Sequence, residues 1–139
     1  ASSPDGRLFY TYHMLHKPQR FTDATVFEWA DGKGVPFPNL EMQKRFHGAM
    51  GITADRQNRL WMVIPGALEG KQTQLLAIDR SSGELLVDYQ FAKGVAGFAQ
   101  DMRVSPDGNT VYLADTGLFR LRCCVTPKLT MLPLLLKLS

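Results

Sequence analysis

The sequence predicts an all-β chain built from repeated four-stranded antiparallel sheets. Three observations carry this. First, "SPDGRLFYTYH" (Ser3–His13) returns as "SPDGNTVYLADTG" (Ser105–Gly117), with a degraded copy, "TADRQNRLWMVI" (Thr53–Ile64), between them. Second, Phe9, Trp61 and Tyr112 lie 52 and 51 residues apart, and Asp5, Asp55 and Asp107 lie 50 and 52 apart. Self-similarity at a period of about fifty residues marks a repeat architecture. Third, a strand–turn–strand pattern, "QLLAIDRSSGELLVDYQF" (Gln74–Phe91), follows the second copy and brings that unit to four strands.

Each element has a physical reading. "GITAD" (Gly51–Asp55) and "DMRVS" (Asp101–Ser105) are short strands with β-branched residues. "PDG" is a tight turn, in which Pro presets φ and Gly accepts the positive φ that follows. "RLFYTY", "RLWMVI" and "TVYLAD" return as apolar-aromatic strands, so each phrase is a hairpin. In the first copy, "ATVFEWADGKGVPFPN" (Ala24–Asn39) supplies a third strand, an Asp-Gly turn and a Pro-broken strand suited to a sheet margin. Only Ala1–Ser3 precede Pro4, so this copy is expected to lack its innermost strand.

Four-stranded units of this period are β-propeller blades. The repeats fall near residues 1–46, 47–98 and 99–117, about two and a half blades. A ring of roughly four to eight blades does not close on that number. The expectation is therefore a partial propeller, a fragment of a longer protein, with residues 118–139 an atypical tail, frame-shifted or truncated.

Composition narrows the function classes. The 139 residues are 45% apolar and 21% charged, which is globular. The net charge of +3 belongs to the tail: residues 1–117 carry 12 Lys/Arg against 13 Asp/Glu, while Arg120, Arg122, Lys128 and Lys137 meet no acid. Four dispersed cations without interleaved aromatics do not make a nucleic-acid surface. Adjacent Cys123 and Cys124 suit neither a disulfide nor a zinc site. "LTMLPLLLKLS" is too short to span a bilayer and is interrupted by Pro133. No signal peptide is visible, and Ala1 without a preceding Met suggests a missing N-terminal segment. Oligomeric state is left open.

Chemistry is expected at one mouth of a central channel. A hairpin reverses direction, so the start of an innermost strand and the end of the next share a mouth. In the third copy these positions are Gln100, Asp101 and Asp115. Carboxylates and an amide converging there suit Ca²⁺ or another hard divalent ion. The plainer readings are a turn cap for Asp115 and inter-blade backbone bonding for Asp101. In the second copy the same mouth holds His47, a candidate ligand-binding residue with channel space left by Gly48. His13 and His16 read as loop residues. "GALEGKQT" (Gly66–Thr73) fails phosphate-loop spacing, and no GxSxG elbow is present. Trp29, Phe37 and Trp61 are read as blade packing, Met50 and Met102 as core filling.

The ordered set "RLFYTYH", "VFEWADGKGVPFPN", "GITADRQNRLWMV", "QLLAIDRSSGELL" and "FAQDMRVSPDGNTVYLADTG" resembles the yellow / major royal jelly protein family in its bacterial, dopachrome-tautomerase-related branch. More broadly it resembles the SMP-30/gluconolactonase-like six-bladed propellers, over residues 3–117. The resemblance implies a partial six-bladed propeller, a secreted or periplasmic location and a small-molecule ligand. It also implies a hydrolytic alternative, a metal-dependent lactonase. Relatives there read "PNG…SPDG…YxxD", with the Asn and last Asp as metal ligands; Asp115 matches that Asp, and Gln100 stands in the place of the Asn. A protein-interaction scaffold using the blade faces is the third expectation.

Overall fold

A computed structural model describes residues 1–12, 22–46, 48–67, 70–117, 120–125 and 130–132. They form an all-β chain of three antiparallel sheets. The first orders β1 (Leu8–Thr11), β2 (Val26–Ala30) and β3 (Lys33–Pro36); a single helical turn, α1 (Leu40–Gln43), follows it. The second orders β4 (Ile52–Ala54), β5 (Arg59–Ile64), β6 (Gln74–Asp79) and β7 (Leu85–Gln90). The third pairs β8 (Ala99–Val104) with β9 (Thr110–Asp115), and extends through the backbone of β10 (Arg120–Val125) and β11 (Thr130–Leu132).

Turn chemistry sets these hairpins. Asp31 (φ 52°) and Gly32 (φ 75°) both take positive φ between β2 and β3, as a two-residue hairpin turn requires. Gly6, Asn58 and Gly108 take the left-handed position of the three repeated turns, at φ 83°, 64° and 71°. Asn is the best substitute for Gly there, which is how the degraded copy keeps the turn.

The sheets stack face to face. Along β5 and β6, Leu60–Ile64 and Leu75–Ile78 are buried on both sides. Their continuous apolar runs are what a sandwiched sheet requires. Leu60, Met62, Ile64, Leu76 and Ile78 pack with Phe9 and Val26 of the first sheet. Trp61, Val63, Leu75 and Ala77 pack with Ala99, Met102, Val111 and Leu113 of the third. The second sheet thus has a front face meeting the third sheet and a back face meeting the first. The outer strand β7, by contrast, alternates half-buried and exposed residues.

Hairpin register corrects the alignment on aspartates. The equivalent cross-strand pairs are Ser2–Leu8, Ala54–Leu60 and Val104–Val111. Phe9, Trp61 and Tyr112 then correspond, as expected. Asp55, however, occupies the place of Ser3 and Ser105, two residues from where Asp5 and Asp107 sit. The reason lies in the hydrogen bonds. Asp55 Oδ1 accepts from Arg59 N at 3.0 Å, where Ser105 Oγ accepts from Thr110 N at 2.9 Å.

Two boundaries also move. The innermost strand of the first sheet survives as a stub: Ser2 bridges Leu8, and Phe9 N donates to Ala1 O at 2.7 Å. The third sheet does not stop at Gly117, because residues 120–125 pair with β9 from Arg120–Asp115 to Val125–Thr110.

Candidate functional site

The innermost segments of the three sheets run side by side, with β4 packed beside both β1 and β8. At one end they touch through backbone. A Cβ on Gly51 would lie 2.7 Å from the Gln100 carbonyl oxygen, so only glycine permits that approach. Thr11 Oγ1 donates to Met50 O at 3.2 Å at the same end. At the opposite end, where the repeated turns lie, the segments enclose a cleft of about 480 Å³. Its walls are Ser2–Ser3–Pro4, Ala54–Asp55–Arg56 and Val104–Ser105–Pro106. By hairpin register these are the same three positions of each repeat.

Charged staples fix the cleft walls. The Asp55 carboxylate accepts Gln57 N at 2.9 Å, Arg59 Nε at 2.6 Å and Trp61 Nε1 at 2.8 Å, besides Arg59 N. Arg59 lies over the Trp61 ring at 4.9 Å and donates to Gly108 O of the third sheet at 2.7 Å. Arg7 repeats the device: its guanidinium lies 5.1 Å from the Phe9 ring, pairs with Glu28, and donates to Arg80 O of the second sheet at 2.7 Å. Buried Arg80 in turn donates to Asp5. The hydroxyl of Ser3 and the Arg80 guanidinium hold the Asp5 carboxyl at about 2, below its usual value. Hydrogen bonds from Arg7 likewise lower Glu28.

Three wall positions differ in chemistry. At the middle position all three side chains are engaged by their own turns: the Ser3 hydroxyl by Asp5 and Arg7 O, the Ser105 hydroxyl by Asp107 and Thr110 N, and the Asp55 carboxylate as above. The next position is Pro4 in the first repeat and Pro106 in the third, but Arg56 in the second, and Arg56 is exposed. A quasi-repeated wall thus carries one cation where its equivalents carry prolyl rings.

The residues expected at the other mouth do not come together. Asp101 keeps the regular register opposite Ala114, and a bulge between Ala99 and Asp101 sets Ala99 instead of Gln100 opposite Asp115. Directly opposed residues share a face, so Asp101 and Asp115 project to opposite faces of the third sheet. Asp115 is buried, and its two oxygens accept Gly97 N and Phe98 N, each at 2.8 Å. Asp101 is exposed and accepts Met102 N at 2.8 Å and Arg103 Nη1 at 3.2 Å. Gln100 sits in the bulge, its backbone against Gly51. His47, with His13 and His16, lies outside the described residues. Among the described residues no three His, Cys, Asp or Glu side chains converge as a metal site would need. Among them, too, no helix is long and apolar enough to cross a membrane.

Sequence reasoning missed Gln43. This buried amide accepts Thr25 N at 2.8 Å and Val26 N at 3.1 Å, and donates to Val26 O at 2.8 Å and Phe37 O at 2.7 Å. It acts as a substitute strand beside β2. Its partners lie up to 18 residues away, and no local pattern announces them. The Ser3–Asp55–Ser105 equivalence was legible in principle, by counting each turn back from its left-handed Gly or Asn.

The fold and site define an all-β protein of stacked antiparallel sheets with a cleft at their turn ends. Compared with known proteins, the sequence matches no family model and no curated relative.

Proposed function

We propose that this chain is a small-molecule-binding protein of propeller type, its ligand held in the cleft at the hairpin turns. The observation that carries this is the lining of that cleft by the same three positions from all three sheets. Propeller ligands sit where innermost strands converge, and about 480 Å³ is within the size range of small-molecule sites. Pro4, Pro106, Ala54 and Val104 supply an apolar wall, and Arg56 supplies the cation. This set favours a ligand with an apolar body and an acidic group. The acid would meet Arg56, a planar fork suited to carboxylate or phosphate.

The metal-dependent lactonase reading draws less support, because Asp101 and Asp115 face apart and Asp115 caps the Gly97–Phe98 backbone. The resemblance to yellow and major royal jelly proteins agrees with small-molecule binding and leaves the reaction open.

The test is a titration with a panel of aromatic and aliphatic carboxylates, matched against their amides. Acids should perturb backbone amides of residues 54–56, 104 and 105, and Arg56→Glu should weaken binding at least tenfold. If amides bind as well as acids, or Arg56→Glu is silent, the ligand class is wrong. If no compound perturbs these residues, the cleft is not the site.

A further inference from the structure

The second sheet carries a smaller cavity, of about 240 Å³, at the end away from the hairpin turns. Three strand ends form one side of it. Ile64 closes β5, Gln74 opens β6 opposite it, and Gln90 closes β7 opposite Gln74. Lys44 and Arg45, just after α1, and Lys71 and Gln72, just before β6, line it as well. Among the described residues, every charged side chain in this lining is a cation. Residues 1–117 carry 12 Lys/Arg against 13 Asp/Glu, so three cations around one cavity run against the balance of the chain.

The fold places these cations. Lys44 and Arg45 sit between two buried anchors: Gln43, which clamps β2, and Phe46, which is fully buried. Lys71 N donates to Gly66 O at 2.8 Å, drawing its segment back against the end of β5. A Cβ on Gly66 would lie 2.3 Å from Gln72 O, so only glycine permits that approach. Asp88, which is not in the lining, accepts from both Arg45 and Gln74 and so orients the guanidinium from outside. A guanidinium has five N–H donors, and Asp88 takes one of them. The Arg45–Asp88 and Lys44–Glu41 pairs are both solvent-exposed, and exposed pairs hold their partners weakly. The carboxamides of Gln72 and Gln90 make no side-chain hydrogen bond among the described residues, so each offers both donors and an acceptor.

We propose that this cavity binds a phosphate monoester, its dianion held by Lys44, Arg45 and Lys71 and a short hydroxylated body held by Gln72 and Gln90. A phosphoryl group brings a charge of about −2 and three strong acceptor oxygens. It can therefore engage two ammonium point charges and a planar fork at once. Hydroxyl groups both donate and accept, as carboxamides do. The body is short because the cavity has half the volume of the turn-end cleft. The two sites share no lining residue and lie at opposite ends of the second sheet, so this proposal stands apart from the ligand reading for Arg56.

The experiment follows the backbone amide resonances of the full chain during titration with glycerol phosphate. Glycerol, inorganic phosphate and chloride at matched ionic strength are the comparisons. Both phosphates should shift the amides of Arg45, Lys71 and Gln72, glycerol phosphate binding the tighter, while glycerol and chloride leave them in place. Arg45→Glu and Lys71→Glu should each weaken glycerol phosphate at least tenfold with unchanged circular dichroism, and Arg56→Glu should not. Lys71→Gln, expected to weaken it several-fold, serves if a reversed charge unsettles the fold. Equal shifts with chloride would reduce the effect to screening and overturn the proposal. So would no shift with either phosphate, or binding that ignores the Arg45 and Lys71 substitutions. Shifts confined to residues 54–56 would assign the anion to the cleft, and inorganic phosphate binding as tightly as glycerol phosphate would remove the monoester body; either result overturns the proposal and leaves the Arg56 reading standing.

Discussion

Asp55→Ala tests whether the second turn is a buried electrostatic lock or an ordinary surface hairpin. The Asp55 side chain is 2% exposed and that of Arg59 17%. Alanine leaves the buried Trp61 indole N–H without its acceptor, and an orphaned buried donor costs about 1–3 kcal/mol. It also strips the counter-charge from Arg59, and removing one partner of a buried pair costs about 3–5 kcal/mol. These terms overlap, and Arg59 keeps its bond to Gly108 O and its place over Trp61, so about 4 kcal/mol is the expected loss. With a urea dependence of about 2 kcal/mol per molar, the unfolding midpoint should fall by about 2 M. The control is Asp107→Ala. Asp107 holds only Ser105 and Asn109 of its own exposed turn, and its midpoint shift should be several-fold smaller. Equal shifts for the two variants, or a loss under about 1 kcal/mol for Asp55→Ala, would refute the assignment of a buried lock.

Gln43→Ala should cost about 3 kcal/mol, since it leaves the buried Thr25 and Val26 amides and the Phe37 carbonyl without their partner; urea unfolding measures it, and a loss below about 1 kcal/mol would remove the amide clamp. The lowered Asp5 contributes stability that is complete above its unfolded value of 3.8 and is lost as pH falls toward about 2. Wild type should therefore lose more Tm than Asp5→Asn between pH 5 and 2, the two curves converging in acid; parallel curves would contradict the Ser3–Asp5–Arg80 link. Asp115→Ala should lower Tm equally with and without Ca²⁺, because it removes a backbone cap; a Ca²⁺-dependent rise in Tm that the substitution abolishes would assign the carboxylate to a metal instead.

The all-β class and the strand order of each hairpin were written locally, and local physics explains why. Turns such as Pro4-Asp5-Gly6 and Asp31-Gly32 are decided by φ preferences of adjacent residues. The unbroken apolar runs at Leu60–Ile64 and Leu75–Ile78 reveal a sheet covered on both faces, a property of side-chain period alone. Tertiary structure decided what spacing could not. Asp55 takes the place of Ser3 and Ser105 in its turn, two residues from the position of Asp5 and Asp107, and one bulge sets Ala99 instead of Gln100 opposite Asp115. Because strand side chains alternate faces, a slip of a single residue exchanges site for surface, and no count along the chain reveals which strand bears it. Arg56 illustrates the same limit. In the sequence it is one charge in a turn; only the convergence of three repeats makes it the odd member of a shared wall.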